Sequence, residues 1–191
     1  RALRESVLSR MRVHRLEIPE VLLLEPKVFG DARGFFFEAY NRRTFREATG
    51  LDVDFVQDNQ SQSVRNVLRG LHYQVRQPQG KLVSVSAGEI FDVAVDLRRS
   101  SPTFRKWVSV LLSAGTPRSI WIPPGFAHGF LVVSDQALVQ YKTTDYYAPE
   151  HERTLLWNDP QLAIPWPLEG EPIVSDKDRR GAALGAADLF D

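Results

Sequence analysis

An alternation of apolar and polar side chains restricts the fold of this chain more than any other feature of its sequence. It is clearest in LVSVSAGEIFDVAVDL, residues 82–97, where every odd-numbered residue from 91 to 97 is apolar and Asp92 and Asp96 lie between them. Successive side chains of a β-strand point to opposite faces, so a period of two indicates strands. The tripeptide Ala87-Gly88-Glu89 interrupts the pattern and predicts a turn between two of them.

Segments of the same kind recur at a spacing of about ten residues, which is typical of a β-sandwich or β-barrel. The further candidate strands are Glu20–Leu24, Gly34–Ala39, Phe104–Leu112, Ser119–Ile122, Phe130–Val133 and Ala137–Thr144. One short helix is predicted at Arg43–Ala48, ended by Gly50. The tail from Trp157 contains four prolines, so we expect an irregular C-terminal strap over the strands.

Composition limits the classes of function. Of the 191 residues, 24 are Lys or Arg and 24 are Asp or Glu, so the formal net charge is zero. A general nucleic-acid binder needs a surplus of cations, so we expect no nucleic-acid partner, although a cationic pocket for one small anion is still compatible. There are no cysteines, which excludes disulfides, thiolate zinc sites and cysteine nucleophiles.

The sequence also predicts the cellular location of the protein and its domain organisation. No apolar run reaches the roughly 18 residues of a membrane span. Residues 1–10 (RALRESVLSR) lack the apolar core of a secretory signal. We therefore expect a cytoplasmic protein with no membrane partner. Met11 is the only methionine, so residues 1–10 are a candidate N-terminal extension and residues 11–191 a single domain.

The segment PPGFAHGF, residues 123–130, matches P-x-G-x-x-H, the second motif of the cupin jelly-roll β-barrel, and places His128 at its histidine. The first cupin motif supplies two histidines one residue apart, which share a metal. Here the corresponding residues are His72 and Gln74. A transition-metal site usually needs three or four N, O or S ligands, and these three residues are a poor set. A cupin-type barrel with a few short helices, a cavity and no metal is favoured, with a metal site as the weaker alternative.

Without a metal, His72 needs another role. A lone histidine on a strand is more often structural, but Arg69 and Lys81 flank this one and Tyr141 lies in another predicted strand. Imidazole takes a proton near neutral pH, Lys stabilises an oxyanion, and Tyr returns a proton from a second direction, as an epimerase requires. Strict alternation would turn Arg69 and His72 to opposite faces, and a bulge at Gly70 would relieve this.

Several longer stretches, in order along the chain, resemble one family. They are FGDARGFFFEAYN, FVQDNQSQS, VLRGLHYQ, GKLVSVSAGEIFDVAVDLRRSSPTF, IWIPPGFAHGF, QYKTTDYYAPEHE and PIVSDKD. From Met11 to Lys177–Asp178 the chain resembles the dTDP-4-dehydrorhamnose 3,5-epimerase family. The resemblance implies an isomerase that needs no cofactor or metal. It would invert C3 and C5 of dTDP-4-dehydro-6-deoxy-D-glucose, giving dTDP-4-dehydro-L-rhamnose for dTDP-L-rhamnose synthesis.

The resemblance also implies four catalytic residues. His72 would remove the sugar proton, and Asp178 would hydrogen-bond His72, fix its tautomer and raise its basicity. Lys81 would stabilise the enolate oxygen, and Tyr141 would return the proton from the opposite face. Taken singly, Asp178 is more typical of a solvated charge in a polar tail, and Tyr141 of an ordinary strand aromatic.

A substrate-binding set and a partner follow from the same resemblance. The binding residues would be Arg33, Glu38, Gln57, Asn59, Arg69, His128, Tyr147, Glu152 and Lys177. Arg and Lys would hold the pyrophosphate, and Tyr147 would stack on the thymine. The family forms a homodimer by N-terminal strand exchange. If the segment Val28–Tyr40 crosses in this way, Arg33 and Glu38 would serve the partner's active site.

Three alternatives stay open at this point. An epimerase that acts at C3 or C5 only, in a secondary-metabolite pathway, would keep the same His, Asp and Tyr. A metal-dependent cupin oxygenase or isomerase is disfavoured by Gln74. A sugar-binding or regulatory cupin without catalysis would not need all four predicted catalytic residues. There is no G-x-G-x-x-G motif and no P-loop in the sequence, so no redox cofactor is indicated.

Overall fold

The computed structural model describes residues 11–191, and the candidate extension at residues 1–10 lies outside them. In chain order the strands are β1 (Met11–Arg15), β2 (Leu22–Pro26), β3 (Phe29–Asp31), β4 (Gly34–Phe36), β5 (Gln57–Val64), β6 (Leu68–Gln74), β7 (Lys81–Ala87), β8 (Glu89–Asp96), β9 (Trp107–Ser113), β10 (Ser119–Ile122), β11 (Phe126–Val132), β12 (Gln136–Thr143) and β13 (Glu152–Thr154). The helices are α1 (Arg42–Thr49) and α2 (Asp176–Arg179), and 3₁₀ turns lie at Pro149–His151 and Leu184–Ala186. Within this described part, no helix combines the length and the apolar character that crossing a membrane requires.

Two antiparallel sheets face each other. The six-stranded sheet has the order β1-β2-β10-β7-β12-β5, and the five-stranded sheet has the order β13-β6-β11-β8-β9. From β5 to β8, and again from β9 to β12, successive strands alternate between the two sheets. This is jelly-roll connectivity, so the predicted mainly β, cupin-type fold is confirmed. Strands β3 and β4 form a separate hairpin.

The inner faces of both sheets share one apolar core. The alternation predicted for β8 is observed, because Ile90 and Ala94 pack in the core between the sheets while Val93 and Val95 pack against the opposite face. Both faces of β8 are therefore covered, and Asp92 on the inner face is fully buried. A buried carboxylate is costly without hydrogen bonds, so Asp92 needs a partner inside the barrel.

The C-terminal tail covers the outer face of the five-stranded sheet, as predicted. Leu162, Trp166 and Leu184 pack against the outward side chains of β6, β8 and β11. Polar anchors fix the path of the tail: the indole of Trp107 donates to the Leu162 carbonyl at 2.8 Å, and the buried Asp159 carboxylate accepts from the Leu184 N–H at 2.7 Å. These contacts hold irregular backbone in one place, and α2 follows within the same tail.

Helix α1 covers part of the outer face of the six-stranded sheet. Asn41 caps its start by accepting from the N–H groups of Arg43 and Thr44, and Gly50 ends it with φ 78°, in the left-handed region. The predicted helix is confirmed and extends one residue further at each end. Phe45 is its buried anchor, and its ring packs edge-on against Trp121 of β10.

Most strand predictions match a strand that enters the apolar core, but Phe130–Val133 misses the first four residues of β11, which is buried along its whole length. The prediction for Ser119–Ile122 matches β10, and those for β2, β9 and β12 are displaced by one to three residues at their ends. The prediction of Gly34–Ala39 was too long, because β4 ends at Phe36. Strand β5 (QDNQSQSV) was missed, because the inward side chains of its first half line a polar cavity, so it lacks the apolar alternation of a core strand.

The bulge predicted at Gly70 is present where β6 pairs with β11. His72 is opposite His128, but Arg69 is opposite Phe130, so two residues of β6 face one residue of β11. Gly70 has φ 118°, and a Cβ there would lie 2.6 Å from the Cα of Gly129. The extra residue lets Arg69 and His72 line the same cavity.

We predict that Gly129→Ala lowers the free energy of unfolding by about 2 kcal/mol. The added Cβ would lie 2.7 Å from the Arg69 carbonyl oxygen and 3.0 Å from the Leu71 side chain, so the β6 backbone has to move. Urea denaturation would measure the loss. Gly115→Ala is the matched control, since its Cβ would meet only the Ser113 hydroxyl at 3.6 Å. Equal stability of the two variants would contradict the close approach.

Candidate active site

A cavity of about 360 Å³ opens between the two sheets. Its walls come from β5, β7 and β12 on one side and from β6, β11 and β13 on the other. Ten of the thirteen predicted site residues line it: Gln57, Asn59, Arg69, His72, Lys81, His128, Tyr141, Tyr147, Glu152 and Lys177. Three basic side chains and one carboxylate in this lining favour an anionic ligand.

His72, which lines the cavity, pairs with the buried Asp178. The Nε2 atom of His72 lies 2.5 Å from Oδ1 of Asp178, whose side chain is 3% exposed. Asp178 also accepts from the Gly70 N–H, and Ser175, which caps α2, accepts from its backbone N–H at 3.1 Å. A carboxylate on Nε2 keeps the proton on that nitrogen, so Nδ1 is the nitrogen left to accept a proton.

The pKa of His72 is lowered. Burial is the largest cause, and the hydrogen bond and charge of Asp178 oppose it, while the charges of Lys177 and Lys81 act in the same direction as burial. The expected effect of Asp178 on basicity therefore has the right sign but is outweighed. His72 is neutral at neutral pH, which is the form that a general base requires.

Lys81 lies beside this pair, in β7. Its Nζ is 3.4 Å from the carbonyl oxygen of His72, and the residue is buried. Burial lowers its pKa to about 8, against the opposing charges of Glu152 and Asp92. An ammonium in such surroundings is poorly solvated, so it interacts strongly with a nearby negative oxygen and can also release its proton.

Tyr141 belongs to the opposite wall. It lies in β12 of the six-stranded sheet, whereas His72 lies in β6 of the five-stranded sheet. Burial raises the pKa of the Tyr141 phenol, and the charge of Arg69 partly opposes this. The phenol therefore keeps its proton at neutral pH. The cavity places a neutral imidazole and a protonated phenol on two facing walls.

His128 has a buried partner that sequence analysis missed. Its Nε2 lies 2.8 Å from Oδ2 of Asp92, and both side chains are buried. The second oxygen of Asp92 has no hydrogen-bond partner among residues 11–191. The available signal was a charged residue between Phe91 and Val93, in a strand whose neighbouring residues are mostly apolar. His128 is directly opposite His72 in the β6–β11 pairing, so this pair adjoins His72.

The mouth of the cavity is organised around Glu152. Lys177 donates to Oε1 at 2.8 Å and the Tyr147 hydroxyl donates to Oε2 at 3.1 Å. Burial alone would raise the pKa of Glu152, but Lys177 and its other partners lower it overall, so the carboxylate stays charged. With both oxygens engaged, Glu152 holds Lys177 and the half-exposed Tyr147 at the rim.

Of the three predicted site residues that do not line the cavity, Asp178 pairs with His72, and the other two lie away from it. Arg33 is at the tip of the β3–β4 hairpin, where it pairs with Asp31 and is 90% exposed. Glu38 accepts hydrogen bonds from the side chains of Asn41 and Thr44 at the start of α1. A single copy of the chain does not bring either residue to the other ten.

Two of the three residues suggested by the cupin metal motif, Gln74 and His128, hydrogen-bond to other groups of the protein. Gln74 is buried and its side-chain amide bonds to backbone groups, and His128 pairs with Asp92. Across the described residues there is no group of three or more His, Cys, Asp or Glu arranged to hold a metal ion.

Comparisons with a family model and with known sequences point to the same family. The family model for dTDP-4-dehydrorhamnose 3,5-epimerase matches residues 15–185. A dTDP-4-dehydrorhamnose 3,5-epimerase of Pseudomonas aeruginosa is 63% identical over 180 residues, covering 94% of this chain and 99% of that protein.

Solved structures of sugar-nucleotide epimerases have the same fold as this chain. The Legionella pneumophila dTDP-6-deoxy-D-glucose-3,5-epimerase in complex with dTDP-4-keto-L-rhamnose superposes with a TM-score of 0.93 at 51% identity, covering 95% of this chain and 98% of that one. A 3'-monoepimerase of Streptomyces bikiniensis in complex with dTDP-quinovose superposes with a TM-score of 0.85 at 35% identity, covering 90% and 87%. The chain therefore belongs to the dTDP-4-dehydrorhamnose 3,5-epimerase family.

Proposed function

We propose that this protein is a dTDP-4-dehydrorhamnose 3,5-epimerase, which inverts C3 and C5 of dTDP-4-dehydro-6-deoxy-D-glucose and so supplies dTDP-L-rhamnose synthesis. One observation carries the proposal: the neutral His72, held by the buried Asp178, faces a protonated Tyr141 across a single cationic cavity. Membership of the family supports the same conclusion.

The chemistry follows from the 4-keto group of the sugar, which acidifies the protons on both neighbouring carbons, C3 and C5. His72 takes one of these protons, and the C–H electron pair becomes the C=C bond of an enolate with its charge on O4. The Lys81 ammonium stabilises this oxygen. Tyr141 then delivers a proton to the opposite face of the same carbon, which inverts the centre, and solvent restores both proton carriers. The sequence of steps is repeated at the second carbon.

The rim of the cavity suits the nucleotide diphosphate. Arg69 and Lys177 offer guanidinium and ammonium groups to the pyrophosphate. Tyr147 is 52% exposed, so its ring is free to stack on the thymine. Gln57, Asn59, His128 and Glu152 complete the proposed binding set around it. These groups would anchor the substrate so that the sugar ring lies between His72 and Tyr141.

A second copy of the chain would complete the site. The β3–β4 hairpin exposes Phe29, Phe35 and Phe36 by 51%, 66% and 69% of their surfaces, a set of aromatic residues that a single copy leaves in water. We infer a homodimer in which the segment Val28–Tyr40 packs on the partner. In this arrangement Arg33 and Glu38 would reach the partner's cavity. The cytoplasmic location stays a prediction.

Deuterium incorporation tests the proposed reaction. After incubation with dTDP-4-dehydro-6-deoxy-D-glucose in deuterated water, NMR should show deuterium at both C3 and C5. His72→Ala should abolish exchange at both carbons, because His72 is the one base in the proposed mechanism. His151→Ala, which changes a histidine outside the cavity lining, should exchange normally. Deuterium at one carbon only would indicate a single-centre epimerase, and deuterium at neither would refute the proposal.

Tyr141→Phe should separate the two proton transfers. We expect product formation to fall by about 100-fold, the size of a general-acid contribution, while solvent exchange falls by less than about tenfold because abstraction does not need the hydroxyl. NMR time courses measure both rates in one sample. Tyr146→Phe, at a 61% exposed tyrosine, is the matched control. A parallel loss of both rates in Tyr141→Phe would remove Tyr141 from the role of acid.

The pH profile of kcat/KM should be bell-shaped. Activity should rise with pH through the pKa of His72, which lies below its ordinary value of 6.5, since the base must be neutral. It should fall as pH rises through about 8, where Lys81 loses its charge. In Lys81→Arg the alkaline limb should move upward, because the guanidinium keeps its proton. An unchanged alkaline limb in that variant would assign it to another group.

A further inference from the structure

Gln74 occupies the position at which a metal-binding cupin carries its second histidine, and its side-chain amide is fully engaged. Its Nε2 donates to the carbonyl oxygens of Gln77 at 2.8 Å and Tyr146 at 3.2 Å, and its Oε1 accepts from the Ala148 N–H at 2.9 Å. The residue is 4% exposed. These three bonds tie the end of β6 to the loop after it and to the loop that contains Tyr147.

The bonds from Gln74 lie on both sides of Tyr147. The carbonyl before this residue and the N–H after it are bound by Gln74, and its own N–H donates to Oε1 of Gln57 at 3.0 Å. The Tyr147 ring itself is half exposed and has one hydrogen bond, from its hydroxyl to Glu152. The direction of the ring is therefore set by its backbone together with the hydroxyl bond to Glu152, and that backbone is fixed by two glutamine side chains.

We propose that Gln74 is a positioning residue for the nucleotide base, acting through Tyr147; this rests on the proposed function. The position needs a neutral group that donates twice and accepts once. Histidine has only two ring nitrogens and cannot make all three bonds, and glutamate has no hydrogens to donate. Leaving the two carbonyls and the N–H without partners in a buried site would loosen the loop and misplace the ring.

Calorimetric binding of dTDP and of pyrophosphate, which lacks the base, tests this inference. Gln74→Leu should weaken dTDP binding about tenfold, the cost of lost hydrogen bonds in a buried site, and pyrophosphate binding by less than twofold. In a Tyr147→Ala background the same change should weaken dTDP binding by less than about twofold, because positioning has no effect without the ring. Gln161→Leu, at an exposed glutamine of the tail, is the matched control.

Three results would overturn the inference: unaltered dTDP binding by Gln74→Leu, an equal loss of pyrophosphate binding, or an equal loss in the Tyr147→Ala background. Gln74→Met, of similar volume, serves if the leucine variant does not fold. In the unmodified protein the Ala148 N–H should be protected from hydrogen exchange, and fast exchange would also overturn the inference. A protein that binds dTDP but exchanges no sugar protons would refute the reaction and leave the role of Gln74 standing.

Discussion

The hydrogen bond between His72 and Asp178 is the interaction on which the site depends. It joins a strand in the middle of the barrel to a residue 106 positions later, in the short helix of the C-terminal tail. The tail can place Asp178 there only because its own anchors, such as the buried Asp159, hold irregular backbone against the sheet. The position of the tail therefore fixes His72, since without the carboxylate the imidazole would have neither a fixed tautomer nor a fixed orientation.

In the cavity, burial and the charge of at least one neighbour shift the pKa of His72, Tyr141 and Glu152 in opposite directions, and the balance differs from group to group. For His72 burial outweighs the carboxylate, so the imidazole is neutral, and for Tyr141 burial keeps the phenol protonated. For Glu152 the lysine outweighs burial, so the carboxylate stays charged. One low-dielectric cavity thus holds a neutral imidazole and a protonated phenol, which are the forms that the proposed base and the proposed acid need.

Local patterns in the sequence predicted most of the fold. Alternation identified strands such as β8 and β10, and the glycine at position 50 identified the end of α1, because these signals depend on neighbouring residues alone. Strand β5 was not predictable by this route, since its inward side chains meet a cavity and are polar. Periodicity could suggest the bulge at Gly70 but could not show that Gly129 packs against it.

The pairing of charges was less predictable, because it depends on contacts between distant segments. Composition and spacing alone would have left Asp178 in solvent, and only the family resemblance attached it to His72. Asp92 was visible as a charge within an apolar strand, but its partner His128 is 36 positions away. Contacts between two chains are a further feature that the sequence does not reveal. Arg33 and Glu38 do not line the cavity of one copy, so their proposed role depends on a second chain.

Gln74 shows how one barrel can serve two kinds of chemistry. In a metal-binding cupin, the second histidine of the motif is a metal ligand. Here the same strand position is occupied by an amide whose hydrogen bonds all go to loop backbone at the rim. The residue therefore stabilises the loops that shape the mouth of the cavity, while His72 keeps the inner position with a carboxylate in place of a metal. The strand position that holds the second metal-binding histidine in a metal-binding cupin therefore holds an amide that fixes loop backbone in this protein.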